Sequence, residues 1–184
     1  MNILVTGGAG FVGSNLVDRL VKEGYNVTVI DNYSTGLRSN EVAGAYYING
    51  DIKDPDLIKS TNTQYDVIYH LAAVSRIKPS LSDPVDCINN NFIGTLNVLE
   101  YAYENVCQVI YAGSSSKHVG LYNSPYAWSK FSGEELCKLY STSYNLNTTI
   151  CRFYNVYGPN QIRTGDYATV IGIFEGKYLA GKPL

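Results

Sequence analysis

The stretch "MNILVTGGAGFVGSNLVDRLVKEGYNVTVID", Met1–Asp31, predicts a strand, a glycine-rich turn, a helix and a second strand. The apolar run Ile3–Val5 ends directly in glycines, which is typical of a buried parallel strand. Apolar residues then recur at helical spacing until Gly24, which predicts the end of the helix, and Val27–Ile30 is a second β-rich run. A strand–helix–strand unit of about thirty residues predicts the start of a parallel α/β sheet.

The same alternation continues along the chain. It predicts strands in residues 65–73, 107–116 and 146–159, and helices in residues 86–105, 124–144 and 164–184. Ser124 and Pro125 suit the N-cap and the first position of one helix. In the helix at 86–105, the apolar stripe comprises Ile88, Phe92, Leu96, Leu99 and Tyr103. The pattern predicts an α/β fold with a doubly wound parallel sheet, in which helices cover both faces.

The composition predicts a soluble globular protein with a substantial core. The 184 residues are 45% hydrophobic and 16% charged, and the net charge of −2 gives no reason to expect nucleic acid or an anionic membrane as a partner. The four cysteines lack CxxC spacing, so we expect buried free thiols and no metal site. No signal peptide or apolar span is recognisable, which predicts a cytoplasmic location.

Three glycines after the first strand, Gly7, Gly10 and Gly13, have GxxGxxG spacing. Such glycines allow a tight turn, close approach of the backbone to a pyrophosphate, and tight packing of helix on strand. A glycine-rich turn without a ligand is the alternative. Asp31 ends the second strand, where a carboxylate can accept hydrogen bonds from ribose hydroxyls and repel a 2′-phosphate, which favours NAD over NADP. Arg38 follows closely and could instead pair with that phosphate.

The stretch "SPYAWSK" places Tyr126 and Lys130 four residues apart, one helical turn, on the same helix face. Such a pair also arises by chance on the surface of amphipathic helices, and the chain has 17 tyrosines. Spacing alone therefore leaves a catalytic pair and two ordinary helix residues as open alternatives.

Eight motifs together give the chain a specific resemblance. They are GxxGxxG (Gly7–Gly13), "DNYSTG" (Asp31–Gly36), "GDI" (Gly50–Ile52), "HLAA" (His70–Ala73), "NFIGTLNVLE" (Asn91–Glu100), "SSS" (Ser114–Ser116), YxxxK (Tyr126–Lys130) and "RFYNVYGP" (Arg152–Pro159). With these motifs in this order, the chain resembles the extended short-chain dehydrogenase/reductases, and within them the NAD-dependent nucleotide-sugar 4-epimerases of the UDP-glucose 4-epimerase type.

This resemblance implies a Rossmann-type fold and a set of site residues. Tyr126 would act as base on the sugar hydroxyl, Lys130 would favour its phenolate and bind the nicotinamide ribose, and Ser116 would hydrogen-bond the reacting oxygen. The implied cofactor-binding residues are Gly7, Gly10, Phe11, Val12, Gly13, Asp31, Asn32, Ser34, Thr35, Gly36, Asp51, Ile52, Leu71, Ala72, Ala73, Asn91, Ser114, Tyr126, Lys130 and Tyr154. The implied substrate-binding residues are Ser75, Ser116, Tyr126 and Asn155.

The chain also departs from the family pattern. The serines are followed by "KHVG", so Lys117 and His118 stand close to the expected site, and His118 is either a proton relay or a surface residue. No Asp or Glu occurs between Ser114 and Pro125, which argues against a 4,6-dehydratase or decarboxylase, although these remain alternatives.

Length is the second departure, because family members continue well beyond residue 184. We therefore expect an NAD-binding domain at residues 1–165, the start of a substrate-binding region at 166–184, and a C-terminal substrate-binding part that is largely absent. A truncated NAD-binding module without turnover is a further alternative. The resemblance also implies a UDP-sugar substrate and a homodimer formed through a helix bundle, for which Asn91–Tyr103 and Phe131–Tyr144 offer apolar stripes.

Overall fold

Six parallel strands form one sheet in a computed structural model that describes residues 1–184, apart from the side chain of Val119. The strands are β1 (Asn2–Thr6), β2 (Asn26–Asp31), β3 (Tyr46–Asn49), β4 (Val67–His70), β5 (Gln108–Ser114) and β6 (Thr148–Phe153). Their order is β3-β2-β1-β4-β5-β6, so the chain proceeds outward from β1 in one direction and from β4 in the other. The predicted doubly wound parallel sheet is confirmed.

The helices of the described residues are α1 (Phe11–Lys22), α2 (Leu57–Ser60), α3 (Ile77–Ser82), α4 (Pro84–Ile88), α5 (Gly94–Asn105), α6 (Lys117–Gly120), α7 (Pro125–Tyr144) and α8 (Val170–Leu179). The chain leaves α1 at Gly24, which adopts a φ of +83°. The Ser124 hydroxyl caps α7 by accepting from the Ala127 N–H at 3.1 Å, with Pro125 at the first position, as predicted. Among the described residues, no helix is both long and apolar enough to cross a bilayer.

Two apolar cores lie on opposite faces of the sheet, because successive side chains of a strand alternate between faces. One core joins Ile3 and Val5 of β1 to Val17 and Leu20 of α1. The other core contains Leu4, Ile68 and Val109 together with residues of α5 and α7, among them Val98, Leu99 and Cys137. Three cysteines are buried free thiols as predicted, whereas Cys151 is exposed.

Two strand predictions need correction. The sequence analysis missed β3, whose residues are exposed or only half-buried at the edge of the sheet and therefore give a weak apolar signal. Strand β6 ends at Phe153 rather than at residue 159. Its last pairing joins Phe153 to Ser114, where β5 itself ends, so no partner strand continues beyond that point.

Residues 84–105 form α4, a π-helical segment (Asn89–Ile93) and α5 instead of the predicted single helix. Of the predicted apolar stripe, Leu99 is fully buried but Tyr103 is 46% exposed. The buried face is formed instead by Cys87, Asn91, Thr95, Val98 and Ala102. The predicted stripe is confirmed at Leu96 and Leu99, which pack in the core. It is incomplete because it counted apolar residues only, whereas Asn91 and Thr95 are buried with their polar atoms hydrogen-bonded.

A buried polar network connects β1, β4 and α5 through His70, which is 1% exposed. Its Nδ1 lies 2.7 Å from Thr6 Oγ1 and its Nε2 lies 3.0 Å from Thr95 Oγ1. The Thr95 hydroxyl already donates to the Asn91 carbonyl at 2.6 Å, so Nε2 carries the ring proton and the Thr6 hydroxyl donates to Nδ1. Burial, assisted by the positive charge of Lys130, lowers the pKa of His70 to about 3.

The neutral state of His70 predicts a pH-dependent component of stability. Between pH 6.5 and about 3 the unfolded chain binds a proton at His70 that the folded protein does not, so the free energy of unfolding falls as the pH is lowered through this window. The slope is about 1.2 kcal/mol per pH unit between pH 6 and 5. Urea unfolding at several pH values should show this component in the protein and in the exposed-histidine control His118→Gln. His70→Gln should lack it, and an unchanged slope in that variant would contradict the prediction.

Candidate active site

The carboxyl ends of β1, β4, β5 and β6 meet at one edge of the sheet, at the point where the strand order reverses. The loops that leave these ends enclose a cavity of about 240 Å³. Its wall includes the glycine turn, the end of β2, the loop after β4, and residues from β5, α7 and the loop after β6. In a parallel α/β sheet, this crevice is where ligands bind.

The glycine turn brings the backbone of the chain close to the cavity. Gly7 adopts a φ of +74°, and a Cβ there would lie 2.7 Å from the Ala72 nitrogen. A Cβ on Gly13 would overlap the Gly7 carbonyl oxygen. Helix α1 starts after Gly10 without a side-chain cap and without an acid in its first turn. Its free N–H groups and the positive end of its dipole therefore face the cavity, where Gly10, Phe11, Val12 and Gly13 line the wall.

Asp31 is 7% exposed, and its carboxylate lies on the cavity wall. Oδ2 accepts from the Ala9 N–H at 2.9 Å and Oδ1 from the Tyr33 N–H at 2.8 Å. A carboxylate has about four acceptor positions, so two remain for hydroxyl groups of a ligand. A Cβ on Gly36 would lie 2.9 Å from Oδ1, so glycine keeps the approach to this carboxylate open. Asn32, Ser34 and Thr35 also line the cavity.

Arg38 and Asp51, two other residues at this end, are engaged within the protein. The Arg38 guanidinium lies 4.5 Å over the Tyr33 ring and pairs with Glu41 at 3.4 Å, and Arg38 does not line the cavity. Asp51 does not line the cavity, whereas Ile52 does. The Asp51 carboxylate accepts from Asn32 Nδ2 at 3.1 Å and lies 3.4 Å from Lys53 Nζ.

Tyr126 and the serines form a chain of hydroxyl groups. The Tyr126 hydroxyl donates to Ser114 Oγ at 3.3 Å, and the Ser114 hydroxyl donates to Ser116 Oγ at 2.9 Å. The Tyr126 N–H donates to Ser80 Oγ at 3.2 Å, which fixes the start of α7 against α3. Ser114 and Tyr126 line the cavity. Ser116 does not line it and is connected to Tyr126 only through the Ser114 hydroxyl. The serine in direct contact with Tyr126 is therefore Ser114, and the contact of Ser116 with the reacting oxygen stays a prediction.

Lys130 is buried without an acidic partner. It is 5% exposed and lines the cavity, and its Nζ lies 4.4 Å from the centroid of the Tyr111 ring. In the described part of the chain, no carboxylate lies within ion-pair distance of this ammonium group. Burial lowers the pKa of Lys130 to about 8, against a smaller opposing effect of Cys137 and Glu134.

Glu134, one turn further along α7, is fully buried and is paired with two cations. Arg152 Nη2 and Lys117 Nζ lie 2.9 and 3.0 Å from its Oε2. Burial acts to raise the pKa of Glu134, and the hydrogen bonds from Arg152 and Lys117 lower it overall. Lys117 therefore links α6 to α7, which gives this unusual residue a structural role. His118 is exposed.

Asn91 supports the cavity wall from behind. Its Oδ1 accepts from the Val74 N–H at 2.8 Å, and its Nδ2 donates to the Val74 carbonyl at 3.0 Å and to Ser129 Oγ at 3.0 Å. The amide thus fixes the loop after β4, from which Leu71, Ala72, Ala73, Val74 and Ser75 line the cavity. Asn91 itself does not line the cavity, whereas the neighbouring Asn90 does.

Residues late in the chain complete the wall. Tyr154 lines the cavity as predicted, and Asn155 does not. The sequence analysis did not identify Arg76, Gln161, Ile162, Tyr167 or Thr169, which also line it. No local pattern marks these positions, because they reach the cavity only through the path of the loops that follow β4 and β6.

The wall residues fit a dinucleotide cofactor. A pyrophosphate suits the uncapped start of α1, where glycines leave space that a Cβ would fill. The hydroxyls of a ribose suit the two remaining acceptor positions of Asp31. Lys130 has N–H donors free for a second ribose at the other end of the cavity.

Comparison with known proteins gives consistent matches. The profile of the NAD-dependent epimerase/dehydratase family matches residues 3–184. A Methanocaldococcus jannaschii protein, provisionally named a UDP-glucose 4-epimerase, is 38% identical over a gapped alignment of 192 positions, which covers 96% of this chain and 63% of the relative. The UDP-N-acetyl-alpha-D-glucosaminuronate decarboxylase of Bacillus cytotoxicus is 35% identical over a gapped alignment of 202 positions, which covers 98% of this chain and 62% of the relative.

Among solved structures, a UDP-glucose 4-epimerase from Thermotoga maritima, crystallised with UDP-glucose, matches with a TM-score of 0.94 and 32% identity. The match covers 100% of this chain and 65% of that protein. The chain thus spans just under two thirds of the length of the proteins it matches.

The lowered pKa of Lys130 predicts that removing its charge stabilises the protein. Between pH 8 and 10.5 the unfolded chain holds a proton on Lys130 that the folded protein lacks, and at pH 7 this charge costs the fold about 3 kcal/mol. Lys130→Met should therefore melt at a higher temperature than the parent at pH 7, measured by calorimetry without ligand. The difference should shrink as the pH rises from 8 to 10.5. Lys138→Met, at an exposed lysine, is the matched control, and a lower melting temperature for Lys130→Met would contradict the prediction.

Proposed function

The chain belongs to the NAD-dependent epimerase/dehydratase family, and we propose that it is a nucleotide-sugar 4-epimerase that acts on a UDP-sugar. One relative is named as an epimerase and another as a decarboxylase, so the residues of the site must decide between the two reactions. The observation that carries the proposal is the contact of the Tyr126 hydroxyl with Ser114, on a cavity wall shared with the buried Lys130.

The charges of the cavity favour epimerisation over dehydration. Dehydratases and decarboxylases of this family carry an acid beside the serine to remove or relay a further proton. Among the described wall residues the one acidic side chain is Asp31, which ends β2 and does not adjoin the serines. Glu134 lies near the serines but is fully buried and paired with Arg152 and Lys117. Within the described wall, no carboxylate is therefore placed for a second proton transfer.

The hydroxyl chain accounts for the proton of the sugar 4-hydroxyl. Tyr126 takes this proton as the C4–H bond breaks, and Ser114 hydrogen-bonds the reacting oxygen, with Ser116 behind it. The chemistry that NAD supplies when bound is reversible acceptance of the C4 hydride. The 4-keto sugar turns over in the site, and Tyr126 returns the proton when the opposite face of the sugar is reduced.

Lys130 contributes a positive charge that favours the phenolate of Tyr126. The ammonium group acts strongly because it is buried and has no carboxylate partner that would neutralise it. Its pKa of about 8 keeps it protonated at neutral pH. Its free N–H donors also suit the hydroxyls of the nicotinamide ribose.

NAD is the cofactor that the family uses, and the site supports NAD over NADP. Asp31 places a negative charge where a 2′-phosphate would lie. Arg38, the alternative phosphate ligand, is occupied by Tyr33 and Glu41. Ile52 and Leu71–Ala73 are proposed to line the cofactor, with Tyr154 near the nicotinamide. The boundary at residue 165 between the NAD-binding domain and the start of the substrate-binding region remains a prediction.

Two alternatives have support. The Bacillus cytotoxicus relative supports decarboxylation of a sugar carrying a carboxylate. A module that binds NAD without turnover is the other alternative, but it has no need of the contact between Tyr126 and Ser114.

A homodimer also stays a prediction, which is supported by exposed apolar residues on α5 and α7 such as Tyr103 and Leu139.

The proposal predicts that Tyr126→Phe loses epimerisation. With UDP-glucose, the parent should form the C4 epimer without net accumulation of NADH, followed by chromatography and absorbance at 340 nm. Tyr126→Phe should lower kcat about a thousandfold and keep its affinity for NAD. The control Tyr122→Phe changes a tyrosine that is 86% exposed and should keep full activity. Steady NADH release or a 4-keto-6-deoxy product from UDP-glucose, or carbon dioxide from UDP-glucuronate, would exclude epimerisation.

The hydroxyl chain predicts unequal roles for the two serines. Ser114→Ala should lower kcat about a hundredfold, because it removes the hydroxyl that contacts Tyr126. Ser116→Ala should cost about tenfold, because Ser116 acts through Ser114. Steady-state kinetics of both variants show which serine contributes more to kcat. A larger loss in Ser116→Ala would mean that Ser116 moves into direct contact with the substrate.

A further inference from the structure

Arg76 combines an unusual backbone with a position on the cavity wall. It has a φ of +129° and a ψ of +146°, which side chains with a Cβ rarely adopt and which costs free energy. The conformation is held from both sides. Asn91 fixes Val74 two residues earlier, and α3 starts at the next residue, Ile77. Glycine would adopt this conformation at little cost, yet the chain carries an arginine whose side chain lines the cavity.

The Arg76 guanidinium is oriented but not neutralised. Its Nε donates to the Tyr167 carbonyl at 3.1 Å, which holds the plane of the group. The other four arginines each pair with a glutamate, namely Arg19 with Glu23, Arg38 with Glu41, Arg152 with Glu134 and Arg163 with Glu175. Within the described residues, Arg76 has no such partner, so its two terminal nitrogens are available to a ligand.

Arg76 lies at the catalytic end of the cavity. The next element, α3, carries Ser80, whose Oγ accepts the Tyr126 N–H. The charged residues of the described wall are Asp31 at the ribose-binding end, and Arg76 and Lys130. A cleft that carries two unneutralised cations attracts an anionic ligand, and a guanidinium binds a planar or tetrahedral oxyanion through two parallel hydrogen bonds.

From this geometry we propose that Arg76 is a substrate-binding residue that pairs with an oxyanion of the nucleotide sugar. The inference rests on the proposed nucleotide-sugar substrate. Two groups supply this chemistry, a carboxylate at C6 of the sugar and the diphosphate that links sugar to nucleoside. A carboxylate partner makes the substrate a uronic acid derivative, whereas a diphosphate partner makes Arg76 an anchor for any UDP-sugar.

The test is calorimetric titration of the NAD-loaded protein with UDP-glucose, UDP-glucuronate and UDP. Arg76→Gln removes the charge, and Arg76→Gly removes the charge with a residue that adopts this backbone conformation without strain. Arg19→Gln, in an exposed ion pair on α1, is the control. Both Arg76 variants should lose about tenfold or more in affinity. A loss confined to UDP-glucuronate assigns the carboxylate, and an equal loss for all three ligands assigns the diphosphate.

Two results would overturn the inference. If the Arg76 variants bind every nucleotide as tightly as the parent, Arg76 does not contact the substrate. If they lose affinity for NAD instead, measured separately by fluorescence, Arg76 belongs to the cofactor site. Neither result touches the proposed epimerisation. If the parent binds none of the UDP ligands, the proposed nucleotide-sugar substrate fails, and the inference fails with it.

Discussion

The rest of the site is arranged around a lysine ammonium that is buried with no counter-charge. Lys130 has the Tyr111 ring beside its ammonium group, while burial keeps the nearby His70 neutral, with Thr6 donating to its Nδ1 and its Nε2 donating to Thr95. A charged histidine at that position would repel the ammonium group of Lys130. A neutral His70 therefore leaves the positive charge of Lys130 without this repulsion. The unpaired ammonium lowers stability, and it leaves a positive charge where a phenolate has to form.

Helix α7 treats its two buried charged residues in opposite ways. Glu134 is surrounded by Arg152 and Lys117 and joins α7 to β6 and α6. Lys130, one turn earlier, is left without a partner and faces the cavity. A neutralised charge can hold elements together but does little to a ligand, whereas an unneutralised one acts on whatever enters the cleft. The same helix therefore carries a structural and a functional ion side by side.

The sequence predicted the parts of the site whose signals are local. The glycine turn, Asp31 and the Tyr126–Lys130 pair lie within single elements, so spacing and strand ends placed them on the cavity wall. Asp51 and Ser116 belong to motifs of the family but lie behind that wall. A sequence motif does not show that the Asp51 side chain is already hydrogen-bonded to Asn32, or that the Ser116 side chain is bonded to Ser114. Arg76 and Tyr167 were missed, since only tertiary structure brings together residues that lie 91 positions apart.

The order of the strands has a consequence for how the cavity comes into existence. Strand β1 pairs with β2 across one connection, but its other neighbour, β4, lies 64 residues away in the chain. During synthesis the β1–α1–β2 unit can therefore form well before β4 arrives, and α7 is added later still. The crevice between β1 and β4 is closed by a long-range contact, so the cleft is among the last features to form. A dinucleotide that spans it would bind only the finished sheet and draw the folding equilibrium toward it.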